Sequence, residues 1–135
     1  MKEIERDSGK FLTMPQKLKQ DSSFVGRCVD INARVLKYTD DSFKNNIAFV
    51  MEKIIKNAKV LLYVGDKLSG DGWFVRDAIT FNGEAIKYAR REFREDKEFV
   101  LDCVKRNVKV FDWLDKKYKK DSDVNAAVFD WFVRL

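Results

Sequence analysis

A step of 25 residues constrains this chain more than any other feature of its sequence. Asn32, Asn57, Asn82 and Asn107 keep it. So do Phe24, Phe49, Phe74 and Phe99, with Val124 in the next slot. Val25, Val50, Val75 and Val100 form a third column, and Val29, Ile54, Ile79, Val104 and Phe129 a fourth. Leu36, Leu61, Ile86 and Phe111 hold an aliphatic slot, which Phe111 fills with a ring. Tyr38, Tyr63, Tyr88 and Trp113 hold an aromatic one. Leu18, Phe43, Leu68, Phe93 and Tyr118 close each unit, and Asp21, Asn46, Asp71, Asp96 and Asp121 open it. Self-similarity at a fixed period of this size is the signature of stacked repeats.

Each unit reads alike. The opening Asp or Asn is a good N-cap, because its side chain accepts a backbone N–H that the first helical turn leaves unpaired. An amphipathic stretch follows. In the fourth unit Phe99, Val100, Cys103 and Val104 fall at i, i+1, i+4 and i+5, one stripe of a helix. The Asn column marks the expected helix end, since Asn tolerates left-handed backbone and caps carbonyls. Gly83 after Asn82 adds a stop signal. A second, shorter helix carries the aliphatic and aromatic pair, such as Ile86 and Tyr88. A turn with the last apolar residue leads to the next Asp.

Two such short helices are marginal alone in water, and stacking neighbours gives them one continuous core. The expected fold is therefore all-α, an α-solenoid of 25-residue short helical-hairpin repeats forming a single repeat domain over 1–135. Residues 1–20 form an N-terminal half-unit and cap, with Phe11 and Leu18 in second-helix slots and Met1 to Lys10 frayed or capping. Residues 21–120 form four full repeats. Residues 121–135 form a C-terminal capping helix with Val124, Val128, Trp131 and Leu135 on one side. Phe132 stands where the column calls for Asn. The apolar end 131–135 folds back as a cap, forms a dimer or continues a longer array, so monomer and homodimer both stay open.

The unit also resembles a known family. Asp96-Lys97-Glu98-Phe99-Val100-Leu101-Asp102-Cys103-Val104-Lys105-Arg106-Asn107, followed by an apolar–x–aromatic pair, is similar to the tandem helical repeats of the domain-of-unknown-function family numbered 4116. Val75 to Ala89, with Ala78, Asn82-Gly83, Ala85, Ile86, Tyr88 and Ala89, carries the best local match. The likeness runs from Asp21 to about Phe129. The chain departs from the pattern in having one Asn-Gly, and in Lys53 where Ala or Cys is usual. The resemblance implies helical repeats and supplies no catalytic residues.

Composition narrows the function. Histidine is absent, which removes the usual general base and the commonest metal ligand. There is no glycine-rich phosphate loop, no Gly-x-Ser-x-Gly and no paired metal-ligand spacing. The expectation is a non-enzyme without cofactor or metal. Hydrophobic residues make up 45% of the chain, too many for a disordered tail. No apolar run exceeds five residues, as in Val60 to Val64, against the ~20 that span a bilayer. The charged first ten residues lack a signal-peptide core. Cys28 and Cys103 share one inward column three units apart. With packed helices ~8–10 Å apart, their Cα atoms exceed the ~7 Å disulfide limit. Two free buried thiols and a cytoplasmic, reducing location follow as expectations.

Two surfaces are candidates. The net charge of +5 is mild, yet Lys105, Arg106, Lys109, Lys116, Lys117, Lys119 and Lys120 cluster against Asp112 and Asp115. They form either a solvated turn or a site for nucleic acid or an acidic ligand. The other signal is departure between copies. Leu62 stands where other units have Lys37, Lys87 and Asp112, and Ile55 where they have Asp30, Thr80, Lys105 and Asp130. Ile47 replaces Ser22, Gly72, Lys97 and Ser122. Trp73 replaces Ser23, Ala48, Glu98 and Asp123. Phe81 aligns with Ile31, Lys56 and Arg106. Polar slots turned apolar are either irregular packing or an exposed protein interface. A protein-binding scaffold is the leading reading, and nucleic-acid binding through the basic segment the alternative.

Overall fold

The computed structural model describes residues 1–134; Leu135, expected on the apolar side of the last helix, lies outside the described residues. The fold is all-α, without a strand among the described residues. The chain packs as two compact units, Met1–Leu68 and Ser69–Leu135.

The first unit contains α1 (Lys2–Arg6), the 3-10 helix Ser8–Thr13, α2 (Gln16–Lys19), α3 (Ser22–Ile31) and the 3-10 helix Ala33–Tyr38. It continues with α4 (Asp41–Lys44), α5 (Ile47–Lys56), the 3-10 helix Ala58–Tyr63 and α6 (Asp66–Ser69), whose last residue falls in the second unit. In the second, α7 (Gly72–Phe81), the 3-10 helix Gly83–Tyr88, α8 (Arg91–Arg94) and α9 (Lys97–Arg106) come first. The 3-10 helix Val108–Trp113, α10 (Lys116–Lys119) and α11 (Ser122–Val133) follow.

The opening Asp and Asn residues cap as the sequence predicts. Asp21 accepts from the Phe24 amide at 3.1 Å and Asn46 from that of Phe49 at 3.0 Å. Asp71, Asp96 and Asp121 do the same for α7, α9 and α11. Each ten-residue helix then buries the expected stripe. Val25, Val50, Val75 and Val100 are wholly buried, as are Ile54 and Ile79. Cys28 and Cys103 are buried and free.

Three features differ from expectation. First, the second helix of each unit is a six-residue 3-10 helix, and a four-residue α-helix occupies the expected turn. The cause is spacing. Three residues per turn eclipse i and i+3, which stacks Ala33 over Leu36 and Ala58 over Leu61, all buried. Second, the Asn residues are extended, not left-handed: Asn32 has φ −148° and ψ 104°, and no described residue has positive φ. The Asn closes the α-helix and opens the 3-10 helix at once. Its Oδ1 accepts from the amide two residues on, as Asn107 does from Lys109 at 3.1 Å. Its side-chain amide donates backwards, from Asn32 to the Ile4 carbonyl at 3.0 Å and from Asn107 to that of Thr80 at 3.1 Å. Gly83 is likewise no left-handed stop. A Cβ there would lie 3.2 Å from the Val110 amide nitrogen, so glycine allows two 3-10 helices to approach.

The N-terminus is ordered. α1 buries Ile4 completely, 25 residues before Val29. Asp7 stands 25 before Asn32 and accepts from the Gly9 amide at 3.0 Å. The pattern thus extends one helix further back. Third, the aromatic column, which its helical spacing beside the aliphatic one assigns to the core, is less inward than core packing requires. Tyr38, Tyr63 and Tyr88 are half-buried and Trp113 is exposed. α11 is one helix, as expected, with Val124 buried and Val128 half-buried.

Candidate functional site

The five apolar departures all lie on the outside. In the first unit Ile47 opens α5, Ile55 lies near its end, and Leu62 is on the 3-10 helix that follows. In the second, Trp73 and Phe81 lie near the two ends of α7. Their exposures run from 50% at Ile55 and Leu62 to 72% at Trp73. α5 and α7 bury a different stripe, Val50 and Ile54 in one and Phe74, Val75, Ala78 and Ile79 in the other. The departures therefore leave each core intact and add apolar area to its outer face.

Trp73 is held in place. The Arg76 guanidinium lies 4.3 Å from its ring centroid, one turn on along α7. Arg76 is fixed in turn by Asp102 on α9 at 3.2 Å, and Asp102 accepts also from Arg106 Nε at 3.1 Å. A large aromatic on a fixed cation loses little side-chain freedom when a partner lands on it, which favours binding.

The first unit handles the matching place differently. Lys53 stands in the buried Cys28, Ala78 and Cys103 column and is 7% exposed. Its ammonium meets Asp30, and Gly26 leaves the room for it. Beside it an open cleft of about 400 Å³ is lined by Ser23, Gly26, Arg27, Asp30, Glu52 and Lys53.

The basic residues are exposed, on separate elements of the second unit. Lys105 and Arg106 end α9, Lys109 lies in the next 3-10 helix, Lys116, Lys117 and Lys119 form most of α10, and Lys120 follows it. Several are engaged locally. Arg106 pairs with Asp102, Lys119 donates to the Asp112 carbonyl at 3.3 Å, and Lys117 lies 5.0 Å from the Tyr118 ring centroid. A cleft of about 410 Å³ nearby is lined by Lys87, Arg94, Asp112, Trp113, Asp115 and Tyr118, with Lys87 Nζ 5.0 Å above the Trp113 ring. Acids and bases alternate around it, so it offers no concentrated positive field.

The titratable groups that stand out serve the fold. Burial pushes the Cys103 thiol up to about 12 and raises that of Cys28. Hydrogen bonds to Asp123 at 2.8 Å and Asp121 at 3.0 Å push the Lys97 ammonium up to about 12, tying α9 to the start of α11. Among the described residues no group of three or more acidic, cysteine or histidine side chains is placed to hold a metal ion. No helix of the described residues is long and apolar enough to cross a membrane.

Residues 74–119 match a family described as a domain of unknown function, DUF4116. The matched stretch takes in most of α7 and runs through α10. Neither a curated protein nor a solved structure matches the chain.

Proposed function

We propose that this protein is a non-enzymatic helical-repeat scaffold, an α-solenoid of 25-residue units, that binds a protein partner through exposed apolar anchors. The helix starts support the repeat reading: Ser22, Ile47, Gly72, Lys97 and Ser122 are evenly spaced. The observation that carries the binding reading is the exposure of Ile47, Ile55, Leu62, Trp73 and Phe81 at slots other copies fill mostly with polar or charged residues. Five large apolar side chains exposed in such slots supply the anchors that an interface needs. Trp73 on its Arg76 support has the character of an interface hot spot, a rigid aromatic within a polar rim. The free, buried thiols fit a reducing compartment such as the cytoplasm.

The test is quantitative capture with the wild-type chain and with Trp73→Ala and Ile55→Asp as baits. A partner held by the apolar anchors loses affinity for each variant and keeps its affinity for wild type between low and moderate salt. Binding through the basic segment behaves oppositely: it survives Trp73→Ala and falls steeply with salt as counterions are released. That result replaces the protein-partner reading with nucleic acid or an acidic ligand bound by Lys105, Arg106, Lys109, Lys116, Lys117, Lys119 and Lys120.

A further inference from the structure

The last helix carries an apolar surface of a different kind. α11 packs against α9 through the side that buries Val124 and half-buries Val128. Its opposite side is apolar too. Phe129 occupies the column of Val29, Ile54, Ile79 and Val104, which are at most 1% exposed, yet it is 67% exposed itself. Phe132 and Val133 are 60% and 65% exposed. Ala126, Phe129 and Val133 fall at i, i+3 and i+7, the spacing of a seam between two paired helices, with Phe132 along its flank. The described residues pack on one side of α11, where α9, α10 and the 3-10 helix Val108–Trp113 meet it, and leave the apolar side with Phe129 and Val133 exposed.

We propose that α11 is a self-association surface, pairing antiparallel with α11 of a second copy across a two-fold axis. Two observations favour a second copy. The first is charge. Asp130 and Arg134 are one turn apart on the same flank of the seam, and neither is joined in an ion pair with a described residue. An antiparallel pair that layers Phe129 of one copy on Val133 of the other sets Arg134 of each against Asp130 of its mate. The contact is made twice, as an isologous interface requires. A cleft of about 270 Å³ between α9 and α11, lined by Lys105, Ala127, Asp130, Trp131 and Arg134, leaves room for the incoming guanidinium. The second is area. With aromatic side chains at ~150–250 Å² each, the exposed parts of Phe129, Phe132 and Val133 come to ~350 Å² per copy. Doubled and given a polar rim, this approaches the ~1,000 Å² that separates a specific interface from a chance contact.

The experiment is the molar mass of the 135-residue chain in solution over a concentration series, by sedimentation equilibrium. The expected result is a reversible rise from 15.9 kDa to twice that mass, and no further. Phe129→Ser weakens the dimer at least ~10-fold with an unchanged helical spectrum, since the side chain is exposed. Asp130→Arg and Arg134→Asp each weaken it by ~10-fold, and the double swap Asp130→Arg/Arg134→Asp restores it to within ~3-fold. The two charge swaps carry the test if Phe129→Ser misfolds, because both lie on the surface. A wild-type monomer up to ~1 mM overturns the proposal. So does growth beyond the dimer, which signals head-to-tail stacking, and so does a double swap that fails to restore association.

Discussion

The Lys53 ammonium sits 3.0 Å from each carboxylate oxygen of Asp30, in the column of Cys28, Ala78 and Cys103. Gly26 makes this possible, since a Cβ there would lie 3.3 Å from the ammonium nitrogen. Taking an ammonium out of water costs several kcal/mol, and attraction to a carboxylate offsets that only where the geometry is good. Here it is good, and Asp30 keeps 43% of its side chain exposed, so only one of the two ions is largely buried.

The two halves of this pair are therefore expected to respond unequally. Lys53→Met keeps the apolar stem, removes the buried charge and leaves Asp30 free to hydrate. Its stability should fall within ~1 kcal/mol of wild type. Asp30→Ala leaves a buried ammonium without its partner and should cost ~2 kcal/mol. Urea midpoints at constant slope measure both. A greater loss from Lys53→Met than from Asp30→Ala would show that the pair itself, and not the need to satisfy the lysine, stabilises the unit.

Asn107 has two roles, and two substitutions separate them. Its Oδ1 caps the 3-10 helix at Lys109 and its side-chain amide donates to the Thr80 carbonyl. Asn107→Asp keeps the acceptor and loses the donor, for a cost of ~1 kcal/mol. Asn107→Ala loses both, for ~2 kcal/mol. Equal losses from the two variants would place the whole contribution in the bond to Thr80.

Much of the fold was legible because inward positions repeat and outward ones do not. The apolar columns located the ten-residue helices, and the opening Asp and Asn located their caps. The shared apolar column read both cysteines as buried and free, and both are. What the period could not reveal was long-range hydrogen bonding. Asn32 reaches back to the Ile4 carbonyl, and that contact, with the Asx cap, favours an extended residue where turn chemistry alone suggested a left-handed one. The 3-10 geometry was legible in principle, since Ala33 and Leu36 are three apart, as was α1, since Ile4 and Asp7 keep the register of Val29 and Asn32. At the candidate site the departures at Trp73 and Ile55 were readable as letters, but their exposure was not. A repeat pattern says which slot is unusual, and only packing says what covers it.

Trp73 should matter to binding and not to folding. It is largely exposed, and Arg76 keeps its bond to Asp102 without it. Trp73→Ala should change unfolding free energy by less than ~0.5 kcal/mol, the range of ordinary surface substitutions. Arg76→Ala removes a partly buried guanidinium that joins α7 to α9 and should cost ~1–2 kcal/mol. A Trp73→Ala loss above ~2 kcal/mol would mean the indole is structural, and the hot-spot reading would fail with it.

Cys103 gives the chain an alkaline sensitivity whose sign is fixed by burial. The apolar surroundings raise its thiol from an ordinary 9.0 to about 12, and the Asp102 carboxylate adds to the shift. The folded state thus disfavours the thiolate. Below pH 9 both states keep the proton and stability does not depend on this group. Between 9.0 and about 12 the unfolded chain binds fewer protons than the folded one, so stability falls as pH rises, by at most ~1.4 kcal/mol per pH unit. Ala78 fills the same slot in another copy, which makes Cys103→Ala the matched control. Urea unfolding at a series of pH values should show wild type losing stability relative to Cys103→Ala only above pH 9. Iodoacetamide should leave Cys103 unmodified in the native protein at pH 8 and label it once urea opens the fold, because the thiolate is the reacting form. Rapid labelling of the folded chain at pH 8 would mean the thiol is neither dry nor raised, and the alkaline slope would vanish with it.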